Sequence, residues 1–568
     1  MAKIKSILEL WLPPSSFVYF DAYKASRPNV AWENDELRVE GKLEDYAYFL
    51  PLLGDPLGSV QDSRKTMSGD RYGGEGIGGN GGGVRCGTSG MVQIKGIGQN
   101  QLAGKSTDFF HSYGGASLNE GVVEAIWGEI LNVALPYGAA RVFGLITTDT
   151  RVPLLNPVPG LDPTTARALI LRQAPLRPAN YMRSVYFEPQ AAMASEVSDT
   201  VRTKSAVRNL PKIFAFLFGE KHGETRDIDY VNDGLKAIFV RAAQQIASAR
   251  AKRVMHGSLM ASNISMDGSW LDFSTTSCMP DYGHIFISPR TPGFIREEET
   301  LIDTIEDLQF YISKYLDIKD MGDLVSAEEL WKTLITELNV SLQSAFLKLT
   351  GVSESRFDLI DYCTRADLYN IFLKVIRSGN NVVYSILTGD GLPDMTGRFH
   401  LNTLIRLVSL SESPSHADEM LEAVLSDPDL RNEFVKCYWN FRNKYRKSFS
   451  LLDTALINRF IILNTVRVNS KLEKLYRPTL YEAVESLLLD GGNIKDFISD
   501  AIMFGTTVMA DSFGGEMDVS DWFGVKATYH EMLGFVVGER SVPYRDAILI
   551  IREGVLSSEE KIVLLKYD

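Results

Sequence analysis

The sequence predicts an α+β chain in which strands dominate the first part and helices dominate the second. Three observations support this. Residues 71–98 (RYGGEGIGGNGGGVRCGTSGMVQIKGIG) join a glycine-rich stretch to a short apolar run that ends on Lys95, as in a loop followed by a strand. From Asn119 apolar residues recur every three or four positions, which indicates a helix. From Leu324 to the end the periodicity is mostly helical.

Length and composition limit the class of protein. With 568 residues the chain is too long for one core, and two to four domains are expected. The apolar content of 45% and charged content of 23% are ordinary for a globular protein. A net charge of −13 argues against a general nucleic-acid or membrane-surface binder. We therefore expect neither a nucleic acid nor a membrane as partner, and the sequence does not indicate an oligomeric state.

Cysteine usage and the apolar segments favour a cytoplasmic protein. The four cysteines are scattered and form no CxxC pair, which gives no support for a disulfide framework or a thiolate zinc site. The apolar patch near the N-terminus contains Glu9 and lacks the small-residue cleavage site of a signal peptide. No segment offers the roughly 20 uninterrupted apolar residues that span a bilayer.

The individual elements follow from local pattern. Asn119 is the expected N-cap of the helix that contains Glu120 and Glu124 on one face. A tight hairpin is expected around Asp267 and Gly268. Further strands are expected at Ala139–Thr148, Ala166–Arg172 and Tyr181–Phe187, and further helices at Val197–Phe218, Tyr230–Lys252 and Thr300–Lys314.

The glycine-rich stretch has two interpretations. Glycine costs backbone entropy on folding, so its concentration suggests a steric need, such as backbone N–H groups that closely approach an anion. A strand lysine behind such a loop is typical of a kinase-like nucleotide site. The alternative is a flexible surface loop followed by an ordinary strand.

Four later residues complete a set of parts for phosphate chemistry. Lys95 would contact phosphates, and Glu124 on the following helix would orient it. Asn263 and Asp272, brought side by side by the hairpin, would supply oxygen ligands for Mg²⁺ or Mn²⁺. Taken singly, each residue could equally belong to a surface salt bridge or an Asx turn. Their order along the chain is that of a kinase, and it predicts an ATP site.

The same order predicts the domain organisation of a two-lobed protein-kinase-like fold with a mostly helical C-terminal extension. Residues 1–190 would form the N-lobe, with 1–70 as an N-terminal extension. Residues 191–330 would form the C-lobe with the catalytic-type loop, and residues 331–568 the helical extension.

The motifs resemble those of the selenoprotein O family, which are protein-AMPylating pseudokinases. The resemblance runs from about Gly73 to Leu316 and extends weakly beyond. It rests on the following motifs: Gln93–Gly98 (QIKGIG), Glu124 with Glu129, His256–Gly257, Asn263, and Leu271–Phe273 (LDF).

The resemblance implies a function and a set of roles. In that family ATP is bound flipped relative to ordinary kinases, so that AMP is transferred to protein hydroxyls. Lys95 would contact phosphates and Glu124 would orient it. Asn263 and Asp272 would hold the metal. The remaining nucleotide contacts would come from Gly79, Gly81, Gly114, Arg172 and Arg183, with Arg177 close to the last of these in the sequence.

The chain departs from the family pattern at three places. Ser262 stands where the family has an aspartate base, and a serine hydroxyl has no useful basicity at neutral pH. Gly82 stands where an arginine is expected, with Arg85 three residues on as a substitute, and Tyr113 replaces an aspartate. We interpret His256 as structural rather than as a replacement base.

Three functions remain open from sequence. The first is an adenylyltransferase that moves AMP onto a hydroxyl of a protein or peptide. The second is phosphoryl transfer to a peptide or small molecule in a biosynthetic pathway, which Ser262 and the altered loops would suit. The third is a catalytically dead ATP-binding scaffold, for which Ser262 is the best argument and the retained Lys95, Glu124, Asn263 and Asp272 the best counter-argument.

Overall fold

Strand β6 (Val92–Lys95) lies inside an eight-stranded antiparallel sheet in the structure, a computed structural model. The strand order is β2-β7-β8-β6-β5-β4-β1-β3. The other strands are β1 (Phe17–Ala25), β2 (Asn29–Glu33), β3 (Tyr48–Phe49), β4 (Val60–Asp70), β5 (Cys86–Ser89), β7 (Val142–Pro153) and β8 (Thr164–Gln173).

The structure describes most of the chain. The described residues are 7–52, 54–56, 58–153, 163–190, 197–219, 226–287, 292–316, 323–379, 383–387, 401–447, 458, 461–462, 464–510, 516–518, 526–530, 534–538 and 540–542. They group into two compact units. The first is drawn from Met1–Ser341, Val382–Pro393 and Leu472–Thr506, and the second from Leu342–Asn381, Asp394–Lys471 and Thr507–Asp568.

The period of two in β6 separates a core face from a polar face. Val92 and Ile94 point into an apolar core that includes Leu169 and Leu171 of β8. Gln93 and Lys95 point to the other face, and Arg172 of β8 is the direct cross-strand partner of Gln93. Because directly paired residues share a face, Lys95 and Arg172 emerge on the same side of the sheet.

Helix α2 (Leu118–Ala134) packs against β7 and β8 in the first unit. The other helices of this unit that lie wholly within it are α1 (Phe109–Ser112), α3 (Asp199–Val207), α4 (Leu210–Phe218), α5 (Asp227–Ala251), α6 (Ile302–Tyr315) and, much later in the chain, α12 (Arg477–Leu489). Two more helices run from one unit into the other, α7 (Ala327–Lys348) and α13 (Ile494–Met509).

Two small strand pairs complete the first unit. Strand β9 (Val254–Met255) pairs antiparallel with β10 (Ser277–Cys278) and thereby frames the loop that contains Asn263 and Asp272. Strand β11 (His284–Phe286) pairs in parallel with β12 (Val383–Ser385).

The second unit contains both helices and strands. Its helices include α8 (Tyr362–Gly379), α9 (Leu401–Leu410), α10 (Pro414–Glu422) and α11 (Pro428–Arg446), with α11 packed on α8 and α10. Its strands are β13 (Glu516–Asp518), β14 (Ala527–His530), β15 (Gly534–Val537) and β16 (Arg540–Val542), which form one antiparallel sheet. The sequence expectation of a mostly helical C-terminal part omitted this sheet.

The mixed α and β character is confirmed, with the antiparallel sheet early in the chain and many helices after it. Two local predictions are wrong. The N-cap of α2 is Ser117, whose Oγ accepts from the N–H of Glu120 at 3.1 Å, rather than Asn119. The strand expected at Tyr181–Phe187 is absent, because a 3₁₀ turn at Pro178–Tyr181 and further turns occupy this stretch. None of the described helices has the length and apolar character needed to cross a bilayer.

Candidate functional site

Lys95 is the centre of a buried ionic cluster. Its side chain is 1% exposed, and its Nζ lies 2.5 Å from Glu124 Oε2, 3.1 Å from Glu120 Oε1 and 2.7 Å from Asp272 Oδ1. Lys95 ends β6, and the two glutamates lie one helical turn apart on α2. The predicted pairing of Lys95 with Glu124, and the approach of Asp272, are therefore present in the fold.

Arginines surround the same carboxylates. Arg172 Nη1 lies 2.5 Å from Glu124 Oε1 and 2.8 Å from Asp272 Oδ1. Its Nε and Nη2 donate to Gln93 Oε1, which fixes the plane of the guanidinium. Arg85 pairs with both carboxylate oxygens of Glu120, at 3.1 and 2.8 Å. The sequence analysis singled out Arg85 only as a possible substitute for an arginine at Gly82.

Arg177 is the fourth cation of this group. It is 2% exposed, donates from Nη1 to the carbonyl of Ser262, and lies 3.4 Å from Asp272 Oδ2. Its guanidinium lies over the ring of Tyr72, 5.0 Å from the centroid. Within the described part of the chain, Nε of Arg177 has no hydrogen-bond partner. A buried donor left unpaired is costly, so this side chain is suited to an additional acceptor.

We call this group the Asp272 cluster. Its four cations exceed its three carboxylates by one positive charge, and the nearby buried Asp70 has a raised pKa because of burial, although Arg177 and Arg172 lower it. The members of the cluster are Arg85, Lys95, Glu120, Glu124, Arg172, Arg177 and Asp272.

Asp272, Glu120 and Lys95 carry their charges at neutral pH. Burial alone would raise the pKa of Asp272, but Arg172, Lys95 and Arg177 hold it well below its usual range. Burial likewise opposes ionisation of Glu120, whose pKa is nevertheless lowered to about 2 by Arg85 and Lys95. The pKa of Lys95 is raised by Asp272, Glu124 and Glu120 against the effect of burial. A buried group of fixed charges with an excess of cations favours an anionic ligand.

Asp272 and Asn263 approach each other through the main chain. The N–H of Leu271 donates to the carbonyl of Asn263 at 3.1 Å. Asn263 Nδ2 donates to the carbonyl of Ser258 at 2.7 Å, and its Oδ1 accepts only a long bond, 3.4 Å, from Ser262 Oγ. Asp272 has a φ of +66°, an uncommon value for a residue other than glycine that accompanies functional sites.

His256 has a structural environment, as the sequence analysis favoured. Its Nε2 donates to the carbonyl of Leu271 at 3.0 Å, and its Nδ1 accepts from the N–H of Ser258 at 3.2 Å. The ring packs edge-on against Trp270 and Phe273. Burial lowers the pKa of His256 to about 4, so the neutral ring links the two loop segments that carry Asn263 and Asp272.

The glycine-rich segment packs onto the loop that carries Ser262. A Cβ on Gly76 would lie 2.0 Å from Met260 Sδ and 2.9 Å from Ser262 Oγ, and Gly76 has a φ of +84°. A Cβ on Gly74 would lie 2.7 Å from Met182 Sδ. Larger residues would push these two loops apart, so the glycines permit close contact with the Ser262 loop.

The three glycines assigned to the nucleotide from the resemblance lie in tightly packed loops. A Cβ on Gly79 would meet Thr107 Oγ1 at 3.1 Å, and one on Gly81 would meet the ring of Phe187 at 2.6 Å. One on Gly114 would lie 2.0 Å from the N atom of Gln99. Their immediate neighbours are thus these loops rather than the Asp272 cluster.

Arg183 lies elsewhere than expected from the resemblance. Its Nε is 3.7 Å from Asp199 Oδ2, and Asp199 is also paired with Arg202 and Arg71. The structure brings Arg177 rather than Arg183 to Asp272. The turn at Pro178 explains why, since it ends the extended run directly after Arg177. The sequence offered one indication of this outcome, namely that Arg177 lies only six residues before Arg183.

The structure also shows the surroundings of Ser262 and Tyr113, which depart from the family pattern, and of two nearby aspartates. Ser262 is 5% exposed, and its Oγ bonds only weakly to Asn263. Tyr113 lies near Glu120 and Arg85, and burial together with Glu120 raises its pKa to about 12. Asp267 and Asp281 serve local turns, accepting from Ser269 N and Gly283 N respectively.

The donor set suits a hard divalent cation bound jointly with a ligand. Carboxylate and amide oxygens from Asp272 and Asn263 are of the type that Mg²⁺ and Mn²⁺ prefer, and Mg²⁺ commonly takes one or two protein ligands plus phosphates and water. In the described residues no group of three or more His, Cys, Asp or Glu side chains could hold a metal alone. Phosphate oxygens would have to complete such a site.

Comparison with known proteins adds no assignment: neither a protein-family model nor a curated protein matches this chain.

Proposed function

We propose that the first unit binds ATP with a divalent metal in a kinase-like arrangement and transfers AMP to a hydroxyl of a protein or peptide. The observation that carries this proposal is the Asp272 cluster, in which one carboxylate gathers Lys95, Arg172 and Arg177. A triphosphate requires several fixed cations, and Arg172 and Arg177 remain charged at any pH at which the protein folds.

The roles of the cations follow from their contacts. Lys95, held by Glu124, is directed at the same space as Arg172 and Arg177 and would neutralise phosphate oxygens there. Arg177 lies 3.4 Å from Asp272 Oδ2, on the carboxylate that Lys95 and Arg172 also contact, which supports its use for an anion at that place. Arg85 keeps Glu120 ionised and thereby supports Lys95 from behind. Gly74 and Gly76 allow the glycine-rich segment to close on the Ser262 loop.

Asp272 and Asn263 would hold the metal. When bound, the cation would supply positive charge that offsets the charge developing on the phosphates. Asn263 Nδ2 is committed to the carbonyl of Ser258, which leaves Oδ1 as the ligand atom. Asp272 must exchange some of its present arginine and lysine contacts for the metal, while phosphates take over those cations.

Ser262 restricts the acceptor chemistry. Without a carboxylate at that position, proton removal from the acceptor hydroxyl depends on solvent or on the acceptor itself. The transition state of phosphoryl and nucleotidyl transfer is loose, and charge neutralisation with positioning supplies most of the rate. Transfer therefore remains feasible at a reduced rate. The buried, weakly bonded Ser262 Oγ is also the observation that favours a catalytically dead ATP-binding scaffold as the second candidate.

A labelling experiment tests the proposal. The full chain is incubated with Mg²⁺ or Mn²⁺ and with ATP labelled at either the α- or the γ-phosphate, together with protein and peptide acceptors. Incorporation from the α position supports adenylyl transfer. Incorporation from the γ position alone would replace it with phosphotransferase activity. Nucleotide binding without either incorporation would establish the scaffold.

Two variants make this experiment specific to the site. Asp272→Ala removes the acid that Lys95, Arg172 and Arg177 share, and transfer should be abolished; unchanged transfer would overturn the site assignment. Arg183→Ala serves as the control. It changes an arginine outside the cluster, and transfer should persist.

A further inference from the structure

We propose that helix α12 positions the nucleotide site, with Arg477 and Tyr481 as its positioning residues. This inference rests on the proposed function of the Asp272 cluster. It adds that the geometry of the cluster depends on residues more than 200 positions downstream in the sequence. Neither residue is proposed to touch the nucleotide. They would act through the chain segment that follows Asp272 and through helix α2.

The first observation is a set of hydrogen bonds that α12 makes to one short segment. Arg477 Nε donates to the carbonyl of Ser274 at 2.8 Å, and the hydroxyl of Tyr481 donates to the same carbonyl at 3.3 Å. The main-chain N–H of Arg477 donates to Ser277 Oγ at 2.9 Å. Ser274 follows Asp272 by two residues, so these bonds fix the backbone at the exit of the positive-φ position.

The second observation is that Arg477 and Tyr481 are themselves held together. The guanidinium of Arg477 lies over the ring of Tyr481, 4.4 Å from its centroid. The residues are one helical turn apart, which is the spacing at which side chains on a helix meet. The pair therefore presents its donors to Ser274 as one preorganised surface.

The third observation is that α12 also contacts α2. The two helices pack on each other within the first unit. The pKa of Tyr481 is raised to about 12, chiefly by burial, with Glu120 and Glu124 raising it and Arg477 and Lys95 lowering it. Tyr481 is thus within electrostatic reach of the charged residues that α2 supplies to the cluster.

A second contact from the same downstream segment also reaches α2. A Cβ on Gly505 would lie 2.2 Å from Ile130 Cδ1, so this residue of α13 lies directly against α2. On the other side, Gly128 of α2 lies against Phe273, where a Cβ would be 3.9 Å from Cε2. Helix α2 is therefore packed between the downstream helices and the residue next to Asp272.

Together these contacts explain how the cluster is assembled in advance. Asp272 requires an uncommon backbone conformation, and Glu124 requires α2 to stay close to β6. Helix α12 donates hydrogen bonds to the segment that follows Asp272, and it packs against α2. Loss of the Arg477 and Tyr481 contacts should leave the sheet and Lys95 intact but loosen Asp272 relative to Lys95, which would weaken metal-dependent nucleotide binding in particular.

The test compares the double variant Arg477→Met and Tyr481→Phe with the control Glu482→Gln, an exposed residue on the same helix. Calorimetric dissociation constants are measured for ATP with Mg²⁺ and for adenosine, which lacks phosphates. We expect the constant for ATP with Mg²⁺ to rise about tenfold, as for loss of a charged hydrogen bond, and that for adenosine to change less than twofold. Equal weakening of both, or no change in either, would overturn the proposal.

Hydrogen exchange separates this proposal from the proposed function. Amides of residues 271–278 should exchange at least tenfold faster in the double variant than in the Glu482→Gln control, with Arg477→Lys intermediate. Unchanged exchange would overturn the positioning role. If the unmodified chain binds no nucleotide, the proposed function fails, whereas faster exchange would still support the positioning of Asp272 by α12.

Discussion

The arginines around Asp272 and those around Asp199, both in the first unit, differ in the acceptors of their hydrogen bonds. In the Asp272 cluster, Arg172 and Lys95 direct their hydrogen bonds mainly at side-chain acceptors. Around Asp199, Arg202 donates to the main-chain carbonyls of Asn180 and Met182 as well as to the carboxylate. Lys95 and Arg172 can therefore exchange one acceptor for another, and Arg177 is bonded to the main chain only through Nη1, at the carbonyl of Ser262, whereas Arg202 is committed to the backbone.

The difference teaches which arginines can serve a ligand. A carbonyl that loses its buried donor stays unsatisfied, so an arginine bonded to main chain cannot turn to a phosphate without a penalty of about 1–3 kcal/mol for each carbonyl. Asp272 accepts from Lys95 and Arg172 through its side-chain carboxylate, so another anion can take its place on these two cations without leaving a main-chain carbonyl unsatisfied. Arg71, which donates to the carbonyls of Ser15 and Val197, belongs to the committed kind.

The largest effect is expected where an arginine is committed to the backbone. Arg202→Met should lower the free energy of unfolding by about 3–5 kcal/mol, because it removes a fully buried partner of Asp199 and leaves two carbonyls without their donor. Chemical denaturation measures this. The exposed Arg208 at the end of α3 provides the control, and Arg208→Met should change the stability by less than about 0.5 kcal/mol. Equal effects would remove the distinction between the two groups.

Glu297 extends the comparison to carboxylates. It accepts from the main-chain N–H of Gly257 at 2.6 Å and of His256 at 3.4 Å, and burial raises its pKa to about 7 although these N–H groups lower it. The native state then binds more protons than the unfolded state between about pH 4.5 and 7. Its contribution to stability should fall as the pH rises through this window, by on the order of 3 kcal/mol.

The measurement for Glu297 is a difference between two pH profiles. Glu297→Gln cannot ionise, so the stability of the wild-type chain relative to this variant should decrease from pH 4.5 to 7. His256, with its pKa lowered to about 4, acts in the opposite direction, because below about pH 6.5 the unfolded state takes up a proton on this ring while the native state keeps it neutral down to about pH 4. It is present in both chains and cancels. A flat difference would show that Glu297 does not titrate in this range.

Replacement of Arg177 should reduce nucleotide affinity more than stability, whereas the expected effect of replacing Arg202 is on stability. Arg177→Met removes one of four cations from a cluster with an excess of positive charge, and it leaves one main-chain carbonyl, that of Ser262, without its donor, whereas Arg202→Met leaves two. Its cost in stability should therefore be about half that of Arg202→Met. The affinity for ATP with Mg²⁺ should instead fall about 10- to 100-fold, as for loss of a charged hydrogen bond. Arg183→Met is the matched control, and its affinity should match that of the wild type.

Sequence reasoning predicted the elements whose pattern is local. Strand β6 and helix α2 follow from apolar periodicity, and the approach of Lys95 to Glu124 and Asp272 follows from the order of motifs. The N-cap at Ser117 was missed by two residues, since both Ser and Asn are good caps. The two-lobed arrangement and the bound nucleotide stay predictions.

The rest depended on long-range packing that a pattern does not record. Arg177 and Arg183 are equivalent by type, and only the turn at Pro178 decides which one reaches Asp272. The contacts of Arg477 with Ser274 join residues 203 positions apart, and neither residue stands out in the sequence. The sheet of the second unit is built from strands of three or four residues, too short to establish a period.

The smallest expected effect is a gain in affinity, and it tests whether Asp272 occupies the place of a phosphate. The carboxylate of Asp272 contacts Lys95, Arg172 and Arg177, the cations proposed to bind phosphate. Asp272→Asn keeps the shape and removes the negative charge. ATP in the presence of a chelator should therefore bind about tenfold more tightly to the variant, since a like charge a few ångströms away opposes binding.

With Mg²⁺ present the same substitution should have the opposite sign, because the variant loses a carboxylate ligand for the metal. Calorimetry with and without the chelator measures both arms, and Asp199→Asn is the control, because it removes an equal charge from the committed arginine group. That control should change neither constant for the folded protein. Weaker binding of chelated ATP by Asp272→Asn would mean that Asp272 orients Lys95 and the arginines for phosphate rather than competing with it, and the exchange of acceptors proposed here would not occur.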